Sequence, residues 1–362
     1  MSTLTIDLSK IRHNRAVIKD ACDARGLKLN VVLKSCQLLP QIVDGLVESS
    51  VEMISFSGST YLERTDAKRL PHTTLLKMPA ISNIDSVVRH ANSSVNSEIE
   101  TIRKLAVAAR RNKVVHEIVI MVDLGDKREG ILPDEITTFA GKIREIGARN
   151  IVVSGIGVNF GCLTDYHPSD HDFYRMREVA MKAEQALGYK LSRISVGGSI
   201  LLDRLLTDGY LGAANEVRIG EAILLGTSPG RMGVHEALFG DAFIYSGEIL
   251  EIKDKPNLEN RKLMRRAIVN FGSLNTVPEG LQSMDCDAVY VGSTSEYTIF
   301  DITMCAPGLR AGDVLRFIPN YDALARCLIS PYITHEIRGL DSSIGKSVAN
   351  ERLGISANIL QV

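Results

Sequence analysis

Short apolar runs alternate with longer segments of helical periodicity through the first two thirds of the chain. Eight of the runs read as strands: "LKLNVVLKS", "VEMISFSGS", "TTLLKMPA", "SSVNSE", "EIVIMVDLG", "IVVSGIGVNFG", "SRISVGGS" and "EVRIGEAILLG". Between them lie amphipathic stretches such as "SEIETIRKLAVAARRNK" and "DFYRMREVAMKAEQALG". Near-continuous apolar strands separated by helices predict a parallel sheet covered on both faces. Eight such units over roughly 230 residues match a (β/α)8 barrel in size, with an open doubly wound sheet as the alternative. From about Asp241 the period changes to two. "DAFIYSGEILEIK", "RRAIVNFGSLNT", "DAVYVGSTSEYTIFDIT" and "GDVLRFIPN" are separated by turn residues and predict a mostly antiparallel β domain. The expected organisation is a barrel over 8–235 and a β domain over 236–362, which the opening strand, residues 2–7, can join.

Composition narrows the partners. A net charge of −1 with both signs mixed along the chain argues against nucleic acid or an anionic membrane as the main partner. No apolar run reaches the length of a membrane span, and "MSTLTIDLSKIRHN" lacks the apolar core of a signal peptide. A cytoplasmic protein is expected. The six cysteines (Cys22, Cys36, Cys162, Cys286, Cys305, Cys327) are scattered without a C-x-x-C, so they read as reduced thiols.

In a barrel, polar residues at the C-terminal ends of strands form the default site. The strand ends offer Lys34, then Asp123 and Arg128, then Asn159, Ser199, and Arg218 with Gly220. A lysine suits a Schiff base because its pKa falls when it is desolvated or placed near another cation. "SVGGS" and "RIGEA" can turn backbone N–H groups toward a phosphate. With an arginine, the set suggests a phosphorylated carbonyl cofactor. A strand-ending lysine or a "VGGS" turn is ordinary taken singly; the collection in chain order is far more specific.

Those motifs carry a resemblance. "LTIDLSKIRHN", "VVLKS", "VDLGDKREG", "GIGVNFGC", "VGGSI" and "NEVRIGEAILLG" resemble, in order, the motifs of the alanine-racemase-like fold-type III enzymes that use pyridoxal 5'-phosphate. The likeness is closest to the ornithine and other amino-acid racemase branch and runs to about Tyr332. It implies that Lys34 holds the cofactor through its amine, and that Arg128 lies near cofactor and substrate. It sets Asn159 where alanine racemases have a ring-facing histidine, and matches Ser199 to a phosphate-binding serine. Arg218 would face the pyridine nitrogen, and Gly220 and Glu221 would offer backbone N–H groups to the phosphate. The activity implied is interconversion of the L- and D-forms of a free amino acid by a homodimer. The β domain of the partner would complete each site.

Departures from the pattern shape the rest. Leu38 stands in place of a tyrosine, Met121 in place of a lysine that many alanine racemases carbamylate, and Ser273 in place of their second catalytic tyrosine. An alanine racemase is therefore disfavoured, and an extended or basic substrate such as ornithine is expected, with Asp126, Glu129 or Glu221 able to pair with a distal ammonium. Tyr321 is the favoured second proton carrier, with Tyr332 and Ser273 as alternatives. A lyase of the D-serine dehydratase or D-threonine aldolase type is the runner-up, but Tyr321 and Ala323 occupy the places of its metal-binding His and Cys. A non-catalytic cofactor-binding protein is the third class, against which the β domain argues. No metal is expected: His167 and His171, among Asp165, Asp170 and Asp172, read as a solvated loop in which Ser169 or Asp170 caps the next helix. Cys162 reads as a small buried residue rather than a reactive one.

Overall fold

Eight parallel strands close on themselves in the computed structural model, which describes residues 2–36, 39–47, 51–58, 63, 70–164, 166–229, 233–256 and 262–339. Leu38, Asp165 and the tail from residue 340 lie outside the described residues. Two compact units emerge, one formed by Met1–Arg12 with Asp241–Val362 and the other by His13–Gly240.

The second unit is the barrel. After β1 (Thr3–Asp7), its strands are β2 (Lys28–Val32), β3 (Met53–Phe56), β4 (His72–Leu75), β5 (Ser93–Asn96), β6 (His116–Met121), β7 (Ile151–Asn159), β8 (Arg193–Gly197) and β9 (Glu216–Ile219). All neighbours run parallel, and β9 returns to β2 with Val31 opposite Ile219. The sheet is thus closed rather than open. Helices between strands follow the apolar periodicity. Ile102, Leu105, Ala106 and Ala109 line one face of Ile99–Asn112, and Phe173, Met176, Ala180, Ala183 and Leu187 line one face of Asp170–Leu187. The latter helix starts at Ser169, whose backbone N–H and hydroxyl both donate to Asp172 Oδ2 at 2.8 Å.

In the other unit, β10 (Phe243–Pro256) is the spine. Its first half lies between β1 and β15 (Val314–Pro319), with Tyr245 opposite both Leu4 and Phe317. A register shift between Ile249 and Glu251 turns its second half onto β11 (Leu263–Val269). The rings of Tyr245, Phe271, Phe300 and Phe317 pack at centroid distances of 4.8–6.3 Å, filling the core that alternate residues of these strands create. One expectation fails here. Cys286 and Cys305 form a disulfide, Cα atoms 5.1 Å apart, so not all six cysteines are free thiols. They lie nineteen positions apart, on either side of the antiparallel hairpin formed by Val289–Ser293 and Thr298–Asp301.

The barrel interior departs from the usual layers of branched aliphatics. Glu216, fully buried, accepts hydrogen bonds from Arg193 (2.7 and 3.0 Å), Asn30 (2.9 Å) and Ser195 (2.9 Å). Arg193 also donates to Ser93 (3.0 Å) and Thr74 (3.2 Å), and Ser55 donates to Asn30 (2.6 Å). Burial alone would raise the Glu216 carboxyl. The hydrogen bond and charge of Arg193, the charge of Arg218 and the Asn30 amide overrule it and hold the group down at about 2.

A folded-state value near 2 against an ordinary 4.5 means that the ionised carboxylate stabilises the fold above pH 4.5 and that this contribution is lost as pH falls toward 2. Glu216→Gln, which strands Arg193 beside a neutral amide, is expected to lower unfolding free energy at pH 7 by on the order of 3 kcal/mol. In urea titrations the gap to the wild type should shrink between pH 4.5 and 3; a gap that is the same at pH 3 as at pH 7 contradicts the assignment.

Candidate active site

The polar column inside the barrel continues upward to the C-terminal strand ends. Arg218, the third residue of β9, is buried with 4% of its surface exposed. One Nη2 hydrogen goes to Val158 O and another to Asn159 Oδ1, both at 2.8 Å, while Nη1 donates to Ser195 Oγ. Asn159 ends β7, and its Nδ2 donates to Glu129 Oε1 at 2.7 Å. The same carboxylate holds Arg128 at 2.6 Å, and Asp126 lies 3.2 Å from the Arg128 Nε. Arg128, Asn159 and Arg218 therefore form one hydrogen-bonded line through Glu129. Burial lowers the Arg218 guanidinium to about 10, against the pull of Glu216, which leaves it a cation at neutral pH.

The fit is close at β8. A Cβ on Gly197 would sit 2.5 Å from both Arg218 Nη2 and Asn159 Oδ1, so the arginine–asparagine bond exists because that position has no side chain. The next residue, Gly198, has φ +117°, and a Cβ there would meet Phe160 O at 2.5 Å. That backbone turns Ser199 inward, where its Oγ accepts from Ala222 N–H at 3.0 Å. Ser199 thereby joins the turn of Gly220 and Glu221 at the end of β9, and the Glu221 carboxylate accepts from Thr227 Oγ1 at 3.0 Å.

Lys34 stands exposed on the turn just past β2, the strand next to β9. Packing around the Cys162 sulfur raises its thiol, while the charges of Arg128, Lys34 and Arg218 pull it down; all three cations lie within electrostatic reach of that one atom. Cys162 itself is exposed, contrary to the expectation of a small buried residue. Its loop hangs from Asp126, whose Oδ1 accepts the backbone N–H groups of Cys162 (2.8 Å) and Leu163 (3.0 Å).

Tyr321 belongs to the other unit, where it opens the helix Tyr321–Ile329 behind the cap formed by Asn320 Oδ1 and Ala323 N–H (2.9 Å). Ser273 lies exposed in a turn of that unit, donating its backbone N–H to Thr294 O at 2.9 Å, and Tyr332 is 60% exposed. Of the histidine loop, Asp172 is taken up by Ser169 and by Tyr166 Oη (2.8 Å), and Asp170 pairs with Arg204 at 2.6 Å; no metal-binding group occurs among the described residues.

Sequence reasoning missed Ser195, Glu216, Arg193 and Asn30. Their signal was the period of two. Arg193, Ser195 and Gly197 alternate in "RISVG", as do Glu216 and Arg218 in "EVRI", which puts each set on one face of its strand.

Residues 6–229 match the family model for the alanine racemase N-terminal domain. The chain is 31% identical to the ornithine racemase of Acetoanaerobium sticklandii, over 92% of this chain and 99% of that protein. It is 25% identical to the lysine racemase of Thermotoga maritima, over 91% and 96% of the two chains. Among solved structures, an alanine racemase from a D-cycloserine-producing Streptomyces lavendulae superposes with a TM-score of 0.74 at 13% identity, covering 94% of this chain and 98% of that one.

Gly197→Ala tests the packing directly. The added methyl must part Arg218 from Asn159, so a loss of about 1–3 kcal/mol in unfolding free energy is expected. A variant that unfolds at the wild-type urea concentration contradicts this packing of Gly197 against Arg218 and Asn159.

Proposed function

The chain belongs to the alanine racemase N-terminal domain family and is an amino-acid racemase, and we propose that it uses pyridoxal 5'-phosphate to invert a basic amino acid such as ornithine or lysine. The observation that carries this reading is the line Arg128–Glu129–Asn159–Arg218 at the strand ends beside Lys34. The residues present suit the cofactor. Three of the five Arg218 N–H groups are engaged by described residues, which leaves Nε–H and one Nη1–H for an acceptor such as a ring nitrogen. Ser199, Gly220 and Glu221 make a narrow turn in which backbone N–H groups can meet a phosphate. Lys34 would hold the carbonyl carbon.

When bound, the cofactor supplies an electron sink that acidifies the α-hydrogen of the amino acid. Lys34 Nζ moves that proton on one face. Arg218 would donate a hydrogen bond to the ring nitrogen without surrendering its own proton, which would limit electron withdrawal and with it elimination and transamination. The opposite face needs a second carrier, and we assign it to Tyr321 of a second copy in a homodimer, since a phenol near a cation is a better acid and base than the Ser273 alcohol. The basic substrate is supported by the two full-length relatives and by the loop after β6, where Asp126 and Glu129 set two carboxylates around one guanidinium.

The purified protein is expected to be yellow, to lose that colour on borohydride treatment, and to carry the reduced adduct on Lys34 in a peptide map. Chiral chromatography should show D-product from L-ornithine or L-lysine; efficient turnover of alanine with none of ornithine, lysine or arginine would overturn the substrate assignment. For the second carrier, Tyr321→Phe in deuterated water should still exchange the α-hydrogen of one enantiomer while racemisation falls by roughly a hundredfold or more. Near-normal racemisation by that variant, or full activity in a sedimenting monomer, removes Tyr321 from the role.

A further inference from the structure

We propose that Ser195 and Glu216 are positioning residues that lock the Arg218 guanidinium in one orientation for its ligand, Glu216 acting through the Ser195 hydroxyl. This rests on the reading of Arg218 as the partner of the cofactor ring.

The direction of each hydrogen bond follows from the chemistry of the groups. Glu216 is ionised and can only accept, so the single Ser195 hydroxyl proton must point to Glu216 Oε1, 2.9 Å away. The Ser195 oxygen is then left as an acceptor, and Arg218 Nη1 donates to it. At the other end the same logic runs through Asn159. Its amide nitrogen is committed to the Glu129 carboxylate, so its oxygen must face Arg218 Nη2, and Val158 O takes the second Nη2 hydrogen. Both Nη groups are thus tied, one from inside the barrel and one from its mouth. Rotation of the guanidinium plane would break three bonds at once.

Glu216 is unsuited to do this directly. Its two oxygens already accept from Arg193 twice and from Asn30 once. Arg218 is therefore oriented by Glu216 without being neutralised by it: the buried column holds two guanidinium groups, Arg193 and Arg218, for the one carboxylate. A direct ion pair would have drawn the guanidinium down the barrel axis. The intervening hydroxyl takes one Nη1 hydrogen, and among the described residues Nε–H and the other Nη1–H are uncommitted.

The test is Ser195→Ala, which cuts this link and leaves the Arg193–Glu216 pair and the Asn30 bond in place. In cofactor-free, nitrogen-15-labelled protein, rotation about the Arg218 Cζ–Nη1 bond should be slow in the wild type and fast in the variant. In the protein loaded with pyridoxal phosphate, the cofactor absorbance band should shift, kcat should fall roughly tenfold with KM little changed, and the share of transaminated cofactor per turnover should rise. The thermal unfolding midpoint should fall modestly, because Glu216 and Arg218 each lose one buried hydrogen-bond partner. A variant with wild-type rotation, absorbance and kcat overturns the inference. So does one whose only change is a lowered midpoint, because Ser195 would then be a packing residue. A wild type that holds no pyridoxal phosphate on Lys34 overturns the cofactor reading and this inference together, whereas unrestricted Arg218 rotation in a wild type that does hold it overturns this inference alone.

Discussion

A carboxylate buried in the middle of a barrel has to be compensated on every side, and Glu216 imposes that requirement on the strands around it. Removing such an ion from water costs several kcal/mol even after relaxation, and one counter-charge recovers this only if the remaining lone pairs are also satisfied. Arg193 supplies the charge, and Asn30 and Ser195 fill the rest. Arg193 in turn needs acceptors for its other hydrogens, which explains the hydroxyls of Ser93 and Thr74 at positions where a barrel ordinarily carries branched aliphatics. Each satisfied group creates a demand on its neighbour, so the polar groups form a connected column beside an apolar cluster of Val95, Val119 and Met121 rather than standing at isolated points.

The column also determines what stands at the mouth. With Ser195 below and Asn159 above, Arg218 has no freedom to turn, and the absent side chains at Gly197 and Gly157 make the space for it. Carboxylates at the two ends, Glu216 and Glu129, set donor and acceptor along the whole line. Fixed dipoles of this kind need no reorganisation when a ligand's charge changes, which is the property a catalytic site requires of its supporting groups. The Lys34 amine has a different setting. It stands exposed on a turn beyond the strand, and in the proposed reading it would reach a ligand that the guanidinium orients.

How much of this could be read from the residues alone depended on whether the information was local. Strands, helices and the switch to period two at Asp241 are local, and so are the strand ends that carry Lys34, Asn159, Ser199 and Arg218. The polar column is not. Arg193, Ser195 and Glu216 sit at alternate positions of apolar strands, a pattern that equally describes the wet face of an antiparallel sheet. Only closure of β9 onto β2 turns that face inward. The Cys286–Cys305 pairing was hidden because it follows from the register of the hairpin between them, in which Val289 faces Asp301. Cys162 was misjudged because its exposure is set by a loop suspended through backbone N–H groups from Asp126, thirty-six positions away in sequence.

The charge balance of the two tiers bears on the chemistry in a way that neither shows alone. Inside the barrel, two guanidinium groups share one carboxylate; in the loop after β6, the Arg128 guanidinium lies between two, Asp126 and Glu129. The lower tier therefore favours an electron-rich acceptor at Arg218 and opposes a proton on it, because a second positive charge would be placed against a buried cation that has no direct counter-ion among the described residues. The upper tier favours an added positive charge. A ligand that presents an unprotonated ring nitrogen downward and an ammonium outward satisfies both tiers at once. One with a neutral side chain satisfies only the lower. In the proposed reading, the hydrogen-bond line that would fix the cofactor partner thus ends, through Asn159 and Glu129, in the group that would distinguish substrates, so changes at either end should be felt at the other.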